Sequence, residues 1–380
     1  MHDLAVIGLG ALGVHVAAEA ARRGLDVVAI DSGNGDHEHA ATGGRTRIFR
    51  LAYTFGGDYV PALRRSMAAW DALAETAPGT RHDTGALLIG APDDPEIRKA
   101  LEAVADHGIA HELIEDAGLL AERWPQHRLL PGDLALYDPA GALLVPPAVT
   151  AAVAEQARAA GASLHYGTEA ARVEPSSNGS EVVTAAGRRV RARTVVVAAG
   201  AWSGRFVPAF DRAVELRRAL LHWYDADEEA YGPARFPVGL RRSGAARYSF
   251  FPRVDQAGIK VNFHQPKPRV TDAGARDAAV PPDIDVLEAR LHDTIAGLGA
   301  RRRTAAYVES YTPDYRVLLG RVAGIRDTWL LAGGSGQAFK LAPALAEHVV
   351  DRLLDVEPAL TLRGVVRGLE EAPAAAVVGP

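Results

Sequence analysis

Apolar residues open the chain as a short run, Leu4 to Ile7, which ends in glycine; a second run, Asp26 to Asp31, follows a segment with apolar positions at helical spacing. Strand, helix and strand are predicted in that order. Helical periodicity returns over Asp58–Glu75, where Leu63, Met67, Trp70 and Leu73 share a face, and over Pro95–His107 and Pro146–Ala160. Thr84–Gly90 reads as a short strand. Ala162–Tyr166, Ala171–Glu174 and Val190–Ala198 read as strands returning to the first sheet, with a hairpin or loop signal at Ser176-Ser177-Asn178-Gly179. From Leu216 to Phe263 the pattern changes to strand-like runs rich in aromatics, which predicts a second, antiparallel sheet, with Trp223, Tyr224 and Tyr248 as candidate cavity residues. A Pro/Asp/Ala-rich surface loop, Lys267 to Asp283, and a helix, Val286 to Ile295, precede a return to the first domain near Tyr307. Ala372 to Pro380 read as a frayed tail.

Composition narrows the class. At 380 residues with 48% hydrophobic content, the chain has room for two domains with cores of their own. Its net charge of −5 gives no general attraction to nucleic acid or anionic lipid, so neither is expected as a partner. The first strand starts at the N-terminus and no apolar run approaches the ~20 residues of a membrane span, so a cytoplasmic protein is expected. There is no cysteine, hence no disulfide, thiolate ligand or cysteinyl cofactor link, and no histidine pair has zinc-site spacing.

The first glycine run, Gly8-Leu9-Gly10-Ala11-Leu12-Gly13, carries the first chemical signal. Gly8 turns the chain, Gly10 lets the backbone approach a pyrophosphate, and Gly13 lets helix and strand pack closely. Helix-start amides then face the phosphates. Asp31, at the end of the second strand, is placed to accept from a ribose 2′-hydroxyl, and its charge argues against a 2′-phosphate. This unit leaves NAD and FAD both open. Two later segments favour FAD. Thr194 to Ala198 lead into Ala199-Gly200-Ala201-Trp202, and Trp329 to Ala332 lead into Gly333-Gly334-Ser335-Gly336 and a helix expected to begin near Leu341. A second helix start thus aims at the same crevice, where a flavin ring needs a dipole at its electron-rich end.

With these motifs the chain resembles the FAD-dependent amino-acid oxidase superfamily, within it the monomeric sarcosine oxidase and N-methyltryptophan oxidase group. The residues that carry the resemblance are Gly8 to Gly13 with Asp31, Gly44 to Arg50 with Tyr59-Val60-Pro61, Val173-Glu174, Gly200-Ala201-Trp202, Gly258 to His264, Thr312-Pro313-Asp314, and Gly334 to Lys340. It implies an α/β fold: a Rossmann-like FAD-binding domain of glutathione-reductase type (1–80, 144–214 and 306–380), with an inserted α+β substrate domain on an antiparallel sheet (81–143 and 215–305). It also implies a cofactor site at Gly8, Gly10, Ala11, Leu12, Gly13, Asp31, Thr46, Arg47, Val173, Gly200, Trp202, Gly333, Gly334, Ser335, Gly336, Gln337 and Lys340.

By the same resemblance, Arg50 and Lys340 anchor a substrate carboxylate. A guanidinium offers a planar fork and an ammonium a second charge, which suits that role. Lys260 corresponds to a lysine over the flavin that speeds oxygen reduction, and alternation puts it on one face with Asn262 and His264, a residue near the substrate. Two departures stand out. Tyr307 occupies the place of the family's flavin-linked cysteine, so FAD is expected without a covalent link, and Ala40 to Arg45 replace a histidine-rich lead-in. The implied reaction is oxidation of the C–N bond of a small carboxylate-bearing amine, a secondary (N-methyl) or cyclic α-amino acid, with molecular oxygen as acceptor and an imine and hydrogen peroxide as products. A dehydrogenase of this fold, a tailoring oxidase acting on an amino-acid-derived intermediate, and a non-catalytic FAD-binding subunit stay open as alternatives.

Overall fold

The computed structural model describes residues 1–369, so the tail expected at Ala372 to Pro380 lies outside them. Strand His2–Ile7 is central to a nine-stranded sheet. It pairs in parallel with Val27–Ile30 on one side and Arg189–Val197 on the other. Thr328–Ala332 and Ser163–His165 extend this parallel core. Continuous apolar runs such as Val27–Ile30 suit strands covered on both faces. Leu4 and Val6 turn to the helices Ala11–Arg22, Pro146–Ala159 and Ala338–Leu353, while Ala5 and Ile7 turn to Phe206, Val207 and Phe210. Because Thr328–Ala332 runs parallel to His2–Ile7, the helices that follow these two strands start at the same sheet edge.

Ala170–Ser176 belongs to this first sheet, as expected, but lies off its parallel core. It forms a hairpin, through the expected turn at Ser176 to Gly179, with Gly179–Thr184, which pairs antiparallel with Arg189–Val197. That middle strand holds only two adjacent apolar residues, Val182 and Val183, too short a run to stand out in the sequence.

The second sheet has eight strands, in the order Arg301–Tyr311, Glu215–Tyr224, Ile259–Phe263, Ala246–Phe251, Val238–Ser243, Ala86–Gly90, Leu134–Asp138 and Glu112–Ile114. Its pairs are antiparallel with one exception, Val238–Ser243 beside Ala86–Gly90, which are parallel. There two separate chain segments meet with no hairpin to fix their direction. Arg301–Tyr311 stays paired to Glu215–Tyr224 over its whole length, so the chain leaves this sheet at Thr312 and not near Tyr307. The aromatics serve packing: Tyr224 and Tyr248 sit in the core, with their hydroxyls bonded to Glu288 and Thr294, and Trp223 packs on Tyr307. None of the three lines the main cavity.

A three-stranded sheet, Arg47–Phe49, Ala142–Leu144 and Arg81–His82, joins the two halves. Asp138, fully buried at the end of Leu134–Asp138, accepts the amides of Leu51 (2.6 Å), Ala52 (2.9 Å) and Ala140 (3.0 Å). One carboxylate from the second sheet therefore fixes the backbone that follows Arg50.

Candidate active site

A cavity of about 630 Å³ lies along the edge where both helix starts converge. Gly8 has φ +93°, and a Cβ on Gly13 would sit 1.8 Å from the Gly8 carbonyl oxygen, so turn and helix meet without room for side chains. Gly10, Ala11 and Leu12 line the cavity; helix Ala11–Arg22 has neither a side-chain cap nor an acidic residue in its first turn, which leaves its amides for a ligand. Asp31 also lines the cavity, and its carboxylate accepts the amides of Leu9 (2.6 Å) and Gly33 (2.7 Å), bracing the glycine turn.

The second glycine run lines the opposite end, from Gly333 to Gln337. Ser335 is held at φ +47° by its amide bond to the Ser310 carbonyl (2.9 Å) and by the Thr312 amide on its hydroxyl (3.1 Å). Helix Ala338–Leu353 starts earlier than expected, directly after left-handed Gly336 and the Gln337 cap, so Lys340 lies in its first turn. Gly200 and Trp202 complete the wall. Val173 is not in the cavity lining: it packs against the cluster that holds Ala5, Ile7 and Phe206, and Ala170 is the residue of that strand in the lining. A register shift between Ala170 and Arg172 separates the two residues along the strand.

Four cations gather beside the second glycine run. Arg47 lines the cavity, with its guanidinium bonded to the carbonyls of Thr46 (2.7 Å), Gly43 (2.7 Å) and Ala41. Lys260, 2% exposed, donates to the carbonyls of Gly44 (3.0 Å) and Thr46 (2.6 Å) and lies 3.8 Å from the Phe251 ring centre. Burial, with Arg47 adding to it, pushes the Lys260 ammonium well below the usual lysine range. Arg50, 4% exposed, is bonded to the Ala52 carbonyl (3.0 Å) and the Thr54 hydroxyl (2.9 Å). It shares Tyr53 with Lys340: the guanidinium lies 5.2 Å from the ring centre, and the Lys340 ammonium is 3.4 Å from the hydroxyl.

Among the described residues neither Arg50 nor Lys340 has a carboxylate within ion-pair distance. Burial takes Arg50 down to about 10 and Lys340 down to about 7, with Arg50 further lowering Lys340. Buried cations without a counter-charge are costly, and these two lie against the same ring, that of Tyr53. His264 bonds to the Ser249 hydroxyl (2.7 Å), and burial, with Arg242, Lys267, Arg247 and Arg50 around it, pushes its imidazole well below the usual range, leaving it neutral. Arg50, Lys260, Lys340, His264 and Thr46 stand outside the cavity lining itself, beyond its Arg47 and Gln337 end.

The residues present fit FAD. Neither helix start at the cavity has a side-chain cap bond, a Cβ on Gly200 would meet nothing within 4 Å and one on Gly10 only the Thr42 hydroxyl at 3.7 Å, and the buried Thr46 hydroxyl has no partner beside Arg47 and Lys260. The two departures in sequence are one structural unit: a Cβ on Gly43 would lie 2.4 Å from the Tyr307 ring, so the altered lead-in makes space for the tyrosine. Three contributors escaped the sequence reading. Tyr53 and Asp138 act through contacts 284 and 87 residues away in sequence, which no local pattern reports. Glu309 was legible in principle, since alternation along Arg301–Tyr311 places Tyr307, Glu309 and Tyr311 on one face.

Known proteins match along nearly the full chain. The family model described as DAO, FAD dependent oxidoreductase, matches residues 3–352. N-methyl-L-tryptophan oxidase of Salmonella arizonae is 27% identical over 366 residues, covering 95% of this chain and 97% of the relative. Among solved structures, NikD, an unusual amino acid oxidase essential for nikkomycin biosynthesis, superposes with a TM-score of 0.82 at 20% identity over 97% of each chain. L-proline dehydrogenase from P. horikoshii gives 0.81 at 20% identity over 96% of this chain and 99% of the other. Among the described residues no helix is long and apolar enough to cross a membrane.

Proposed function

The chain belongs to the DAO family of FAD-dependent oxidoreductases, and from that premise we propose that it oxidises the C–N bond of a small carboxylate-bearing amine, a secondary or cyclic α-amino acid, with molecular oxygen as acceptor. The observation that carries this reading is the pair of buried cations, Arg50 and Lys340, which both lie against Tyr53 and have no carboxylate partner among the described residues. In the proposed site FAD lies along the cavity without a covalent link, in a chain that has no cysteine, held by Gly8 to Gly13, Asp31, Thr46, Arg47, Gly200, Trp202 and Gly333 to Gln337. Bound there, it supplies the two-electron acceptor for the amine.

Arg50 and Lys340 grip the carboxylate, which fixes the substrate's orientation and converts binding energy into position. Tyr53 is in contact with both cations. His264, neutral, forms part of the substrate wall with its ring fixed by Ser249. Lys260, held by the Gly44 and Thr46 carbonyls next to Arg47, would offer its N–H groups to oxygen as it takes up negative charge, the arrangement of preorganised electrostatic catalysis.

N-methyl-L-tryptophan, sarcosine and L-proline, each supplied to the purified yellow protein with an oxygen electrode and a peroxide assay, test the reaction. At least one is expected to give oxygen uptake matched by peroxide; turnover with an artificial acceptor and none with oxygen would make the protein a dehydrogenase. Lys260→Met is expected to slow reoxidation by oxygen about 10- to 100-fold while leaving anaerobic reduction by the same amine within about twofold. Stopped-flow absorbance separates the two half-reactions.

The Lys340 ammonium, held down to about 7, is charged below that pH and loses its proton above it. Its contribution to carboxylate binding is therefore present on the acid side and lost as pH rises. The dissociation constant of pivalate, read from the flavin absorbance of the holoenzyme, is expected to rise about tenfold from about pH 6 to about pH 9, and to lose that rise in Lys340→Met.

A further inference from the structure

The cation pair accounts for one end of an amino acid and leaves the other without a counter-charge. Glu309 is a carboxylate of the cavity lining close to this group of cations. Its side chain comes from strand Arg301–Tyr311, lines the cavity beside Arg47, Gly336 and Gln337, and is 20% exposed. A carboxylate oxygen lies 3.7 Å from where a Cβ on Gly336 would stand, and the next residue, Gln337, accepts the Lys340 ammonium on its carbonyl at 3.3 Å. The negative charge of Glu309 acts on Arg47, Lys260 and Lys340 alike. The other carboxylate on this side, Glu38, is engaged by Arg303 at 3.0 Å. Glu309 has a looser partner, Lys267 at 3.7 Å, and accepts the Tyr311 hydroxyl.

We propose that Glu309 seats the ammonium of a zwitterionic substrate, so that the site reads both charges of an amino acid at once: carboxylate at Arg50 and Lys340, amine at Glu309. The inference rests on the carboxylate reading above and adds a residue that determines specificity. An amine cation replaces the Lys267 ammonium on Glu309, exchanging one ion pair for another. A carboxylic acid of the same shape with no amine leaves the Lys267 pair intact and gains nothing from Glu309. Glu309 thus selects amino acids over plain carboxylic acids at the binding step.

α-Aminoisobutyrate and pivalate test this, because they differ only in an ammonium against a methyl group and neither has an α-hydrogen to lose. Each is titrated into the FAD-loaded enzyme, with flavin absorbance as the readout. The wild-type protein is expected to bind α-aminoisobutyrate at least about tenfold more tightly than pivalate, and Glu309→Gln to lose that preference while its pivalate affinity stays within about twofold. Lys267→Met gives a second reading should Glu309→Gln fail to fold: freeing Glu309 of its own lysine is expected to widen the preference. A preference retained in Glu309→Gln, one unchanged in Lys267→Met, or none in the wild type with pivalate still binding, overturns the role of Glu309 alone. Binding of neither acid to the wild type overturns the carboxylate site at Arg50 and Lys340, and this inference with it.

Discussion

Arg50→Ala is expected to lower kcat/KM for carboxylate-bearing amines about 10²- to 10³-fold, the equivalent of about 3 to 4 kcal/mol of lost binding at a buried charge pair. The same substitution is expected to leave the apoprotein as stable as the wild type, or more so. The contrast follows from the absence of an acidic partner among the described residues, because removing this guanidinium orphans no carboxylate. Burial brings Arg50 from 12.5 down to about 10, so at every pH below about 10 folding bears a penalty of the order of 3 kcal/mol, relieved only as pH rises through that value. Arg50→Ala removes the penalty and leaves a cavity, two effects of opposite sign and similar size. Arg50→Lys keeps the charge but not the fork that spans the Ala52 carbonyl and the Thr54 hydroxyl, and is expected to recover a minor part of the affinity. Steady-state kinetics with urea unfolding of the same preparations checks both halves; a fall in stability with unchanged KM would make Arg50 a structural residue.

Asp138→Ala is expected to destabilise the protein by about 4 kcal/mol, since it strands three amides in a fully buried place and each unpaired group costs about 1 to 3 kcal/mol. Two of those amides, Leu51 and Ala52, belong to the turn that follows Arg50, and the Ala52 carbonyl is itself a partner of the Arg50 guanidinium. On the proposed reading, Asp138 positions the anion seat through this backbone. Asp138→Asn keeps an acceptor oxygen and is expected to fold with about half of the loss. If Asp138 positions Arg50, this variant also weakens pivalate binding severalfold; unchanged pivalate binding would confine Asp138 to a structural part.

The nucleotide half was legible because its features are local. A glycine run after a four-residue apolar run and a repeat of that arrangement near the C-terminus place two helix starts at one sheet edge, and a parallel sheet allows few other solutions. The second sheet was legible as a pattern but not in its seams. The parallel contact of Val238–Ser243 with Ala86–Gly90, and the small sheet around Arg47–Phe49, form between segments far apart in sequence, where no turn dictates the pairing. Val173 was named from its motif alone, and the irregularity between Ala170 and Arg172, which exchanges the faces of the later residues in that strand, is not visible in such a motif. The cations could be named from their resemblance to a family, but their shared ring, Tyr53, and their missing counter-charges are tertiary facts.

Anaerobic bleaching of the bound flavin tests the central claim most directly. The purified protein is mixed with N-methyl, cyclic and primary α-amino acids, and in parallel with the same amines lacking the carboxylate, such as pyrrolidine beside L-proline. The account predicts that one or more carboxylate-bearing amines bleach the flavin within seconds to minutes and that their decarboxylated counterparts do so at least about a hundredfold more slowly. Equal bleaching by both members of a pair, or bleaching by the decarboxylated amines alone, would contradict it.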